Sequence, residues 1–531
     1  MTLIPNSEPP LRDTLPAVLT PFTASELSKA IRKMKSGKTT KEADLPAECF
    51  KALATASGPA FDKILSFCND CWSNSSVPQV WRTASVSMIF KKGDPSDCDN
   101  YRPISLLTVA AKLFASMVKQ RLLDAGADQH LWPSQFGFRA NCSTEDAIFI
   151  ARRHIELAKA RRRGRVALVA LDWKKAFDSI NTVSLLDALR RYGVPLHLLN
   201  VIGGLFDNRC FYVQDCGNCS TTRTQYSGIS QGCTLSPLLF VMVMSVLLND
   251  AVDMLSPRAK KAYKSGGLAD VVYADDTLLI GENDKDLSEY LRAVAAAGRR
   301  YGMDLHWGKF QVLSVQCSPK IQAVGGEHLE CKERMEYLGA TLTSDVHDTH
   351  ELNRRIAIAR SDFMKISRVW DHSSLPRSRK LALYSSLIES KLLYGLSTMV
   401  LTVCQKRILN GFQSRCLRRI FGIKPSYISR VSNACVLEKA GCVLATNLLL
   451  RRQMRMLGKV LRAPEGHPLR KASFIPGTNR PATDQYVRRV GRPAKEWIPE
   501  MMREAESRLG STERVLQTAL NKKAWDTFFA D

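Results

Sequence analysis

Three carboxylates in the middle of the chain occupy positions where charged groups need an explanation. Asp172 directly follows the continuous apolar run VALVAL (166–171), which is typical of a strand buried on both faces. Asp275 and Asp276 lie between two apolar runs in LADVVYADDTLLIG (268–281), a pattern that predicts a β-hairpin. Asp is also a preferred helix N-cap and a common turn residue. Two adjacent carboxylates repel each other, however, unless a cation lies between them.

Three carboxylates brought together can hold two divalent cations. Two Mg²⁺ ions about 3.5–4 Å apart would activate an attacking hydroxyl and neutralise a leaving pyrophosphate. Mg²⁺ prefers oxygen ligands and keeps substrate phosphates among its partners. We therefore predict a phosphoryl-transfer site with two Mg²⁺ ions at Asp172, Asp275 and Asp276, with Mn²⁺ as the alternative ion and no small-molecule cofactor.

The segments around these carboxylates show mixed helix and strand patterns. A capping box at Thr23-Ala-Ser-Glu26 predicts a helix start. Strands are predicted at 83–90, 166–171 and 336–343, in addition to the hairpin. Helices are predicted at 47–75, 105–125, 182–192, 236–255 and 286–301, and after residue 350 at 351–369, 376–399, 403–421, 443–462 and 494–509.

Composition narrows the class of protein. The chain has 531 residues, of which 45% are hydrophobic, so it can bury a large core and is not disordered throughout. No stretch approaches the ~18 uninterrupted apolar residues of a membrane span, and the N-terminus lacks a secretory pattern. The 15 scattered cysteines suit a reducing compartment. We expect an intracellular protein, in the nucleus and/or cytoplasm, without a membrane partner.

Positive charge is concentrated in the last third of the chain. Of the formal net charge of +25, residues 351–531 carry +20, from 34 Lys and Arg against 14 Asp and Glu. A charge block of this size commonly binds a polyanion, and nucleic acid is the first candidate. The alternative is a solvated basic face without a partner.

Several distinctive motifs follow one another along the chain. They are IFKKGDPSDCDNYRPISLL (89–107), QFGFR (135–139), LDWKKAFD (171–178), GISQGCTLSPLLF (228–240), VVYADD (271–276), GMDLHWGKF (302–310), EYLGATL (336–342) and GRPAKEW (491–497). In composition and in order they resemble the motifs of the reverse transcriptases of non-LTR (LINE-type) retrotransposons. The resemblance covers residues 20–500. Its departures are His306, Phe310 and Cys233, and none of them removes a carboxylate.

The resemblance implies an α/β right-hand polymerase, with fingers, an α+β palm, a mostly helical thumb and a helical basic C-terminal extension. Within it we expect an N-terminal extension and fingers (21–165), a reverse transcriptase domain (72–343), a thumb (344–462) and a C-terminal helical segment (494–531). Pro-rich polar composition predicts a flexible tail (1–20), and Pro and Gly residues predict a linker (463–493). The implied partners are an RNA template, a DNA primer or target, and dNTPs.

The resemblance also assigns roles to residues of the reaction centre. Asp172 and Asp275 would bind the metals with Asp276 beside them, and Lys91 and Arg102 would bind the nucleotide phosphates. Further nucleotide-binding residues are implied: Phe177 as a steric gate against a 2′-hydroxyl, Gln231 and Gly232 as the pocket lining, and Lys309 as a proton donor to pyrophosphate.

Nucleic-acid contacts are predicted at two places. The resemblance places Gln135, Phe138 and Arg139 against the template, with the aromatic ring stacking on a base. Arg415, Arg418 and Arg419 lie on the basic faces of thumb helices whose other faces are apolar. Such helices would pack on one another and present cations to the duplex.

Other interpretations stay open. An inactive or domesticated nucleic-acid-binding remnant is one alternative, although the carboxylates are intact; an RNA-directed RNA polymerase is another, although Phe177 disfavours it. The cysteine pairs at 68 and 71 and at 216 and 219 lack the four ligands of a zinc site. The run RRRGR (161–165) is a nuclear import signal, a phosphate contact or a solvated helix end. We find no pattern typical of an endonuclease or an RNase H.

Overall fold

The computed structural model describes residues 8–41, 44–56, 58–215, 217–322, 328–345, 349–372, 374–491 and 495–529. Several sequence interpretations reach beyond these ranges. The residues concerned are 1–7 of the tail, 57 of the predicted helix 47–75, Cys216 of the second cysteine pair, 492–494 of the GRPAKEW motif, and 530–531 of the C-terminal segment.

The strands of the described residues form three sheets. They are β1 (Thr83–Phe90), β2 (Tyr101–Leu106), β3 (Val166–Leu171), β4 (Cys210–Asp215), β5 (Asn218–Cys219), β6 (Arg223–Thr224), β7 (Leu268–Tyr273), β8 (Asp276–Gly281), β9 (Gln311–Val315), β10 (Cys331–Lys332), β11 (Arg334–Tyr337) and β12 (Ala340–Thr343). The sheet orders are β2-β1-β4-β5 with β6 also on β4, β10-β9-β3-β8-β7, and β11-β12.

Helices make up most of the remaining described structure. The first half of the chain contains α1 (Ala24–Lys33), α2 (Ala47–Ala56), α3 (Pro59–Ser73), α4 (Gln79–Arg82), α5 (Val109–Asp124), α6 (Thr144–Ala160), α7 (Ala176–Ser179), α8 (Thr182–Arg191), α9 (Leu196–Phe206), α10 (Ser236–Asp253), α11 (Pro257–Ser265) and α12 (Asp284–Arg300). The second half contains α13 (His350–Lys365), α14 (Ser367–Asp371), α15 (Arg377–Leu383), α16 (Ser390–Leu392), α17 (Val403–Phe421), α18 (Ser426–Ser429), α19 (Asn433–Ala440), α20 (Ala445–Arg462), α21 (Pro468–Lys471), α22 (Trp497–Leu509), α23 (Thr512–Leu520) and α24 (Lys522–Phe528).

The described chain divides into two compact units, and neither is continuous in sequence. Unit 1 contains residues 8–140, 172–260 and 289–308, and unit 2 contains 141–171, 261–288 and 309–529. The predicted reverse transcriptase region (72–343) therefore contributes to both units. The predicted thumb and C-terminal segment belong to unit 2, together with the sheet that contains β3.

In unit 2, β3 is the central strand of its sheet. It pairs antiparallel with β8 on one side and with β9 on the other. Five of its six residues are buried, as the unbroken apolar run predicted. The β7–β8 hairpin is confirmed, with a register that runs from Leu268↔Gly281 to Tyr273↔Asp276.

The helical part of unit 2 encloses its own apolar core. Phe363, Trp370, Tyr384 and Leu409 are among the buried residues of this core, which extends from α13 to α20. The helix predicted at 376–399 is interrupted by a π-helical turn at Tyr384–Glu389 and ends at α16. The predicted helices at 403–421 and 443–462 are confirmed as α17 and α20.

The described part of the predicted linker (463–491) contains secondary structure and packs within unit 2. It includes α21 and a 3₁₀ turn at Ala482–Gln485, and Phe474 is only 2% exposed. The segment then bonds to the end of α6 through Arg162 N–H and the Val487 carbonyl oxygen, 2.8 Å apart. The interpretation of a loose connection rested on Pro and Gly content, but those residues form turns between packed segments here.

In unit 1, β1 is confirmed at the predicted residues 83–90 and lies between antiparallel β2 and parallel β4. The segment predicted as a tail is anchored from residue 8 onward. Leu15 is 4% exposed, and its N–H donates to the Gly193 carbonyl oxygen at 2.7 Å. The Arg12 guanidinium lies 4.3 Å from the ring centroid of Tyr192.

Three predicted elements need correction. The single helix at 47–75 is two helices, because Gly58 and Pro59 start a new one with proline at its first turn. The helix at 105–125 begins only at Val109, with the Thr108 side chain as N-cap. The single strand at 336–343 is the β11–β12 hairpin, whose turn residues Leu338 and Gly339 both have positive φ.

One helix of the described chain, α10, is long and apolar enough to cross a membrane by length and composition. Within the protein, 78% of it is buried, which is the burial of a core helix. The pair α19 and α20 meets the same criterion only as a single span bent by 65°.

Candidate active site

The β7–β8 hairpin positions Asp275 and Asp276. Tyr273 pairs with Asp276, so Ala274 and Asp275 form a two-residue turn. Ala274 is 5% exposed and has φ +59°, an uncommon conformation for a residue with a Cβ. Asp275 is half-buried and Asp276 is exposed. The tight turn thus places two consecutive carboxylates at one end of the hairpin.

The register of the central strands relates this turn to Asp172. At the end of β3, Leu171 pairs with Thr277, the second residue of β8. Asp276 precedes Thr277, and Asp172 is the next residue of the chain after Leu171. Because β3 and β8 are antiparallel, the end of β3 and the start of β8 coincide at the same edge of the sheet.

A buried tyrosine lies near the hairpin in unit 2. Tyr337 is 3% exposed, and its hydroxyl donates to the Val271 carbonyl oxygen at 3.3 Å. Burial raises the pKa of Tyr337 well above its ordinary value, and the negative charges of Asp276 and Asp270 raise it further. The hydroxyl therefore keeps its proton and serves as a neutral donor near Asp276.

In unit 1, a second chain segment holds the backbone around Asp172. His306 N–H donates to the Asp172 carbonyl oxygen at 2.7 Å, and Lys174 N–H donates to the Asp304 carbonyl oxygen at 2.8 Å. Trp173 is 5% exposed and packs so closely on Gly298 that a Cβ there would come within 2.5 Å of the indole. His306 departs from the sequence pattern of the resembling family, but it makes this hydrogen bond through its backbone N–H. The departure therefore does not remove the support of the Asp172 backbone.

Phe177 is packed on one face and half-buried overall. Its ring stacks on the fully buried Phe240, with centroids 4.2 Å apart and an interplanar angle of 13°. The edge-on ring of Phe138 lies 6.1 Å away. The ring is thus held in a fixed orientation, which a steric gate requires.

The loop with Gln231 and Gly232 is tied to β2. Ser105 N–H donates to the Gln231 carbonyl oxygen at 2.8 Å. Gly232 has φ +137°, and a Cβ at this position would come within 2.1 Å of the Ser105 carbonyl oxygen. The sequence analysis assigned this glycine to the pocket lining, and here its close neighbour is the backbone of β2.

Sequence reasoning gave no role to Asp178. Its carboxylate accepts from the Gln231 side-chain amide at 3.5 Å. Burial raises the pKa of Asp178, while Lys175, Gln231 and Lys91 oppose that rise. Two predicted nucleotide-binding residues, Lys91 and Gln231, therefore share this carboxylate as a neighbour. The only sequence signal was its place in LDWKKAFD, because partners from two distant loops define its environment.

Lys91 and Arg102 lie on the β1–β2 hairpin. Lys91 is exposed, and its N–H donates to the Asn100 carbonyl oxygen at 2.8 Å. Arg102 is exposed and pairs across the strands with Ile89. Lys175 reaches the same hairpin through an ion pair with Asp99 at 2.9 Å. The hairpin thus presents cations to solvent, as phosphate binding requires.

Comparison with known proteins relates part of the chain to a known family. Residues 89–342 match the family described as reverse transcriptase (RNA-dependent DNA polymerase). Over these residues, a little under half of the chain, the sequence is similar to reverse transcriptases. The α/β architecture of the chain is the predicted fold class.

The chain is also similar to several curated relatives. The chain is 28% identical to a probable RNA-directed DNA polymerase from transposon BS of Drosophila melanogaster, over 63% of this chain and 37% of the relative. It is 26% identical to the polymerase of the mobile element jockey of that species, over 78% and 45%. It is 28% identical to a Pol polyprotein of retrotransposable element R2 of Popillia japonica, over 64% and 48%. The matches thus span less than half the length of each relative.

A solved structure of an apo telomerase from Candida tropicalis also aligns, at 12% identity and a TM-score of 0.36. The alignment covers 58% of this chain and 62% of that one.

One residue that was predicted to contact the template, Gln135, is buried in this structure. Gln135 has no exposed surface, and its side-chain oxygen accepts from Gly137 N–H at 2.7 Å. It therefore shapes the loop. Phe138 follows with φ +55° and is 53% exposed, and Arg139 is half-buried. Phe138 thus remains available for a base.

Arg418 on α17 is likewise not a surface cation. It is 7% exposed and bonds to the carbonyl oxygens of Lys424 and Val431 and to the side chain of Asn433, at 2.7–3.1 Å for its closest contacts. Arg415 and Arg419 are exposed, and Arg419 forms an ion pair with Asp371 at 2.8 Å. Arg418 faces inward and holds the loop after α17, so only its two neighbours can meet a duplex.

Lys309 is exposed at the end of a 3₁₀ turn, directly before the buried Phe310. Across the described ranges, no group of three or more His, Cys, Asp or Glu side chains is arranged to hold a metal ion. The donor chemistry of Asp172, Asp275 and Asp276 nevertheless fits a hard divalent cation, because all three offer carboxylate oxygens.

Proposed function

We propose that this chain is an RNA-directed DNA polymerase that extends a primer 3′-OH with dNTPs on an RNA template. The observation that carries the proposal is the β3–β8 register, which pairs Leu171 with Thr277 beside the Asp275–Asp276 turn. The reverse transcriptase match covers the same residues. Nucleic acid as partner and a divalent metal as cofactor follow from the family.

Asp172, Asp275 and Asp276 are the residues that would hold two Mg²⁺ ions, or Mn²⁺ in their place. When bound, such ions supply charge neutralisation and activation of the primer hydroxyl. The chain contributes positioning of these carboxylates: a hairpin turn for two of them, and backbone bonds from 304–306 for the segment of the third. Preorganisation of this kind lowers the barrier because no reorganisation is needed during reaction.

The remaining residues would bind and orient the nucleotide. Lys91 and Arg102 are exposed cations suited to the triphosphate, and the exposed Lys309 would give a proton to pyrophosphate. Asp178 is a positioning residue in this proposal, since it lies among Lys91, Lys175 and Gln231. Its partial burial makes each of these interactions stronger than it would be in water.

Primer extension tests the proposal against its two alternatives. A purified chain is given an RNA template and a DNA primer, with dNTPs in one reaction and NTPs in the other. We expect extension with dNTPs that depends on Mg²⁺ or Mn²⁺. Extension with NTPs alone would show an RNA polymerase, and template binding without any extension would show an inactive remnant.

We also propose the nucleus and/or cytoplasm as the location of this protein.

Replacing Phe177 with valine should admit ribonucleotides. A smaller side chain removes the proposed clash with the 2′-hydroxyl, while the buried Phe240 keeps the pocket wall. We expect the dNTP-to-NTP ratio of kcat/KM to fall about 10–200-fold, the usual worth of one steric discrimination. Both substrates are assayed on one preparation, so partial unfolding cancels in the ratio. An unchanged ratio would make Phe177 a packing residue only.

A further inference from the structure

Two arginine-rich stretches that are distant in sequence lie side by side in unit 2. Arg161 and Arg488 form an antiparallel bridge. Arg162 N–H donates to the Val487 carbonyl oxygen at 2.8 Å, and Arg489 N–H donates to the Ala160 carbonyl oxygen at 2.9 Å. We call residues 161–165 and 486–490 together the arginine ribbon.

The arginine ribbon carries positive charge that the described chain does not neutralise. Arg161 forms an ion pair with Glu282, and Arg488 forms ion pairs with Asp484 and Glu496. Four further guanidinium groups are exposed and have no ion pair within the described ranges, namely Arg162, Arg163, Arg165 and Arg489. Like charges gathered in this way repel one another, and a polyanion removes that cost.

The backbone of the arginine ribbon is fixed by packing. Arg163 has φ +59°, and a Cβ on Gly164 would come within 2.2 Å of the Ala158 carbonyl oxygen. The Arg161 guanidinium lies 3.8 Å from the ring centroid of Tyr486. The exposed arginines therefore project from a rigid turn at the end of α6, and little backbone entropy is lost when they bind.

The conformation of RRRGR (161–165) distinguishes its two functional interpretations, a nuclear import signal and a phosphate-binding surface. A receptor for a linear import signal needs the basic run as an accessible, extended peptide. Here the run turns sharply at Arg163 and Gly164 and is bonded to the 486–490 segment. Phosphates need only the projecting guanidinium groups, which bind them in bidentate fashion. The structure therefore favours a nucleic acid.

Two exposed apolar side chains in the arginine ribbon favour single-stranded nucleic acid over a duplex as the ligand. Val487 is 73% exposed and Val490 is 87% exposed. Unstacked bases offer faces that such side chains can cover, whereas a duplex hides its bases from a surface of this kind. We propose that the arginine ribbon binds single-stranded RNA through its phosphates. This inference rests on the proposed function, in which RNA is the template.

The test measures binding of a labelled single-stranded RNA to the full chain as salt is raised. Arg162→Gln, Arg163→Gln and Arg489→Gln are combined in one variant. Three lost phosphate contacts should lower the slope of log K against log salt by about 2, and the affinity near 0.1 M salt by about 100-fold. The corresponding triple Lys variant keeps the charges and should retain the slope.

A matched control removes three other exposed cations of unit 2, through Arg514→Gln, Lys522→Gln and Lys523→Gln. We expect it to bind RNA as the parent chain does. Equal losses in both triple variants would overturn the inference in favour of a diffuse basic surface. A loss seen only with duplex DNA would refute the single-strand assignment, and lost nuclear import with unchanged RNA binding would support the import signal instead.

Primer extension at saturating RNA separates this inference from the proposed function. The arginine ribbon lies outside the proposed reaction centre, so the triple Gln variant should keep the parent kcat. If the parent chain extends primers and the variant keeps its RNA slope, only the ribbon assignment fails. If the parent chain neither binds RNA nor extends a primer, the proposed function fails.

Discussion

Asp275→Asn should abolish primer extension while leaving RNA affinity within about threefold. The side chains are nearly isosteric, so the two-residue turn between Tyr273 and Asp276 persists. The amide, however, has lost the charge that a divalent cation needs. We expect kcat to fall at least 10³-fold, which corresponds to about 4 kcal/mol of lost transition-state stabilisation. Asp172→Asn should behave in the same way.

Two measurements check this prediction: single-turnover extension and RNA binding by anisotropy. Asp62→Asn is a suitable control, because Asp62 is an exposed aspartate in α3, outside the motifs. It should retain full activity. Full activity in either the Asp275 or the Asp172 variant would refute the metal assignment. A parallel loss of RNA affinity would instead point to misfolding of the hairpin.

Asp250→Ala should strongly destabilise unit 1. Arg191 and Asp250 are 4% exposed each and form a two-pronged ion pair with N···O distances of 2.6 and 2.7 Å. The Tyr301 hydroxyl also donates to Asp250 at 2.7 Å. Removing Asp250 leaves the buried Arg191 guanidinium with only the more exposed carboxylate of Glu8, at 3.1 Å, to offset its charge. We expect about 3–5 kcal/mol of lost unfolding free energy.

Urea denaturation monitored by fluorescence gives the urea concentration at the midpoint of the first unfolding transition, which is compared between each variant and the parent chain. Asp371→Ala provides the matched control, since its ion pair with Arg419 is largely exposed. Exposed pairs contribute about 0–1 kcal/mol, so the control midpoint should barely move. Similar midpoints for the Asp250 variant and the parent chain would mean that water reaches Arg191.

The basic last third of the chain cannot be tested cleanly by deletion. The charge distribution alone suggested that residues 351–531 form a nucleic-acid-binding region. In unit 2, however, Trp497 is fully buried, stacks edge-on against Phe149 at 4.8 Å and donates its backbone N–H to Glu156 at 2.6 Å. A chain ending at 350 would expose that face of α6. Charge substitution is therefore the sharper experiment.

Tertiary contacts give several side chains surroundings that their residue types did not suggest. Gln135 and Arg418 have the chemistry of template contacts, yet both are buried and hold loops. Asp178 was unassigned, yet it lies among two lysines and Gln231. Solvent exposure depends on what packs over a side chain, and the covering residues here are distant in sequence.

The amino-acid sequence by itself determined the local elements and the chemistry. Hydrophobic periodicity and turn residues predict buried strands, amphipathic helices and the hairpin. The bounds of β1, β3, β8 and α17 could therefore be predicted closely. Motif order was enough to indicate a polymerase, because the chemistry needs particular residue types. Only the tertiary structure decided that 463–491 packs onto α6, and that two arginine runs form one surface. Those outcomes depend on pairing between segments more than 300 residues apart, which no local pattern encodes.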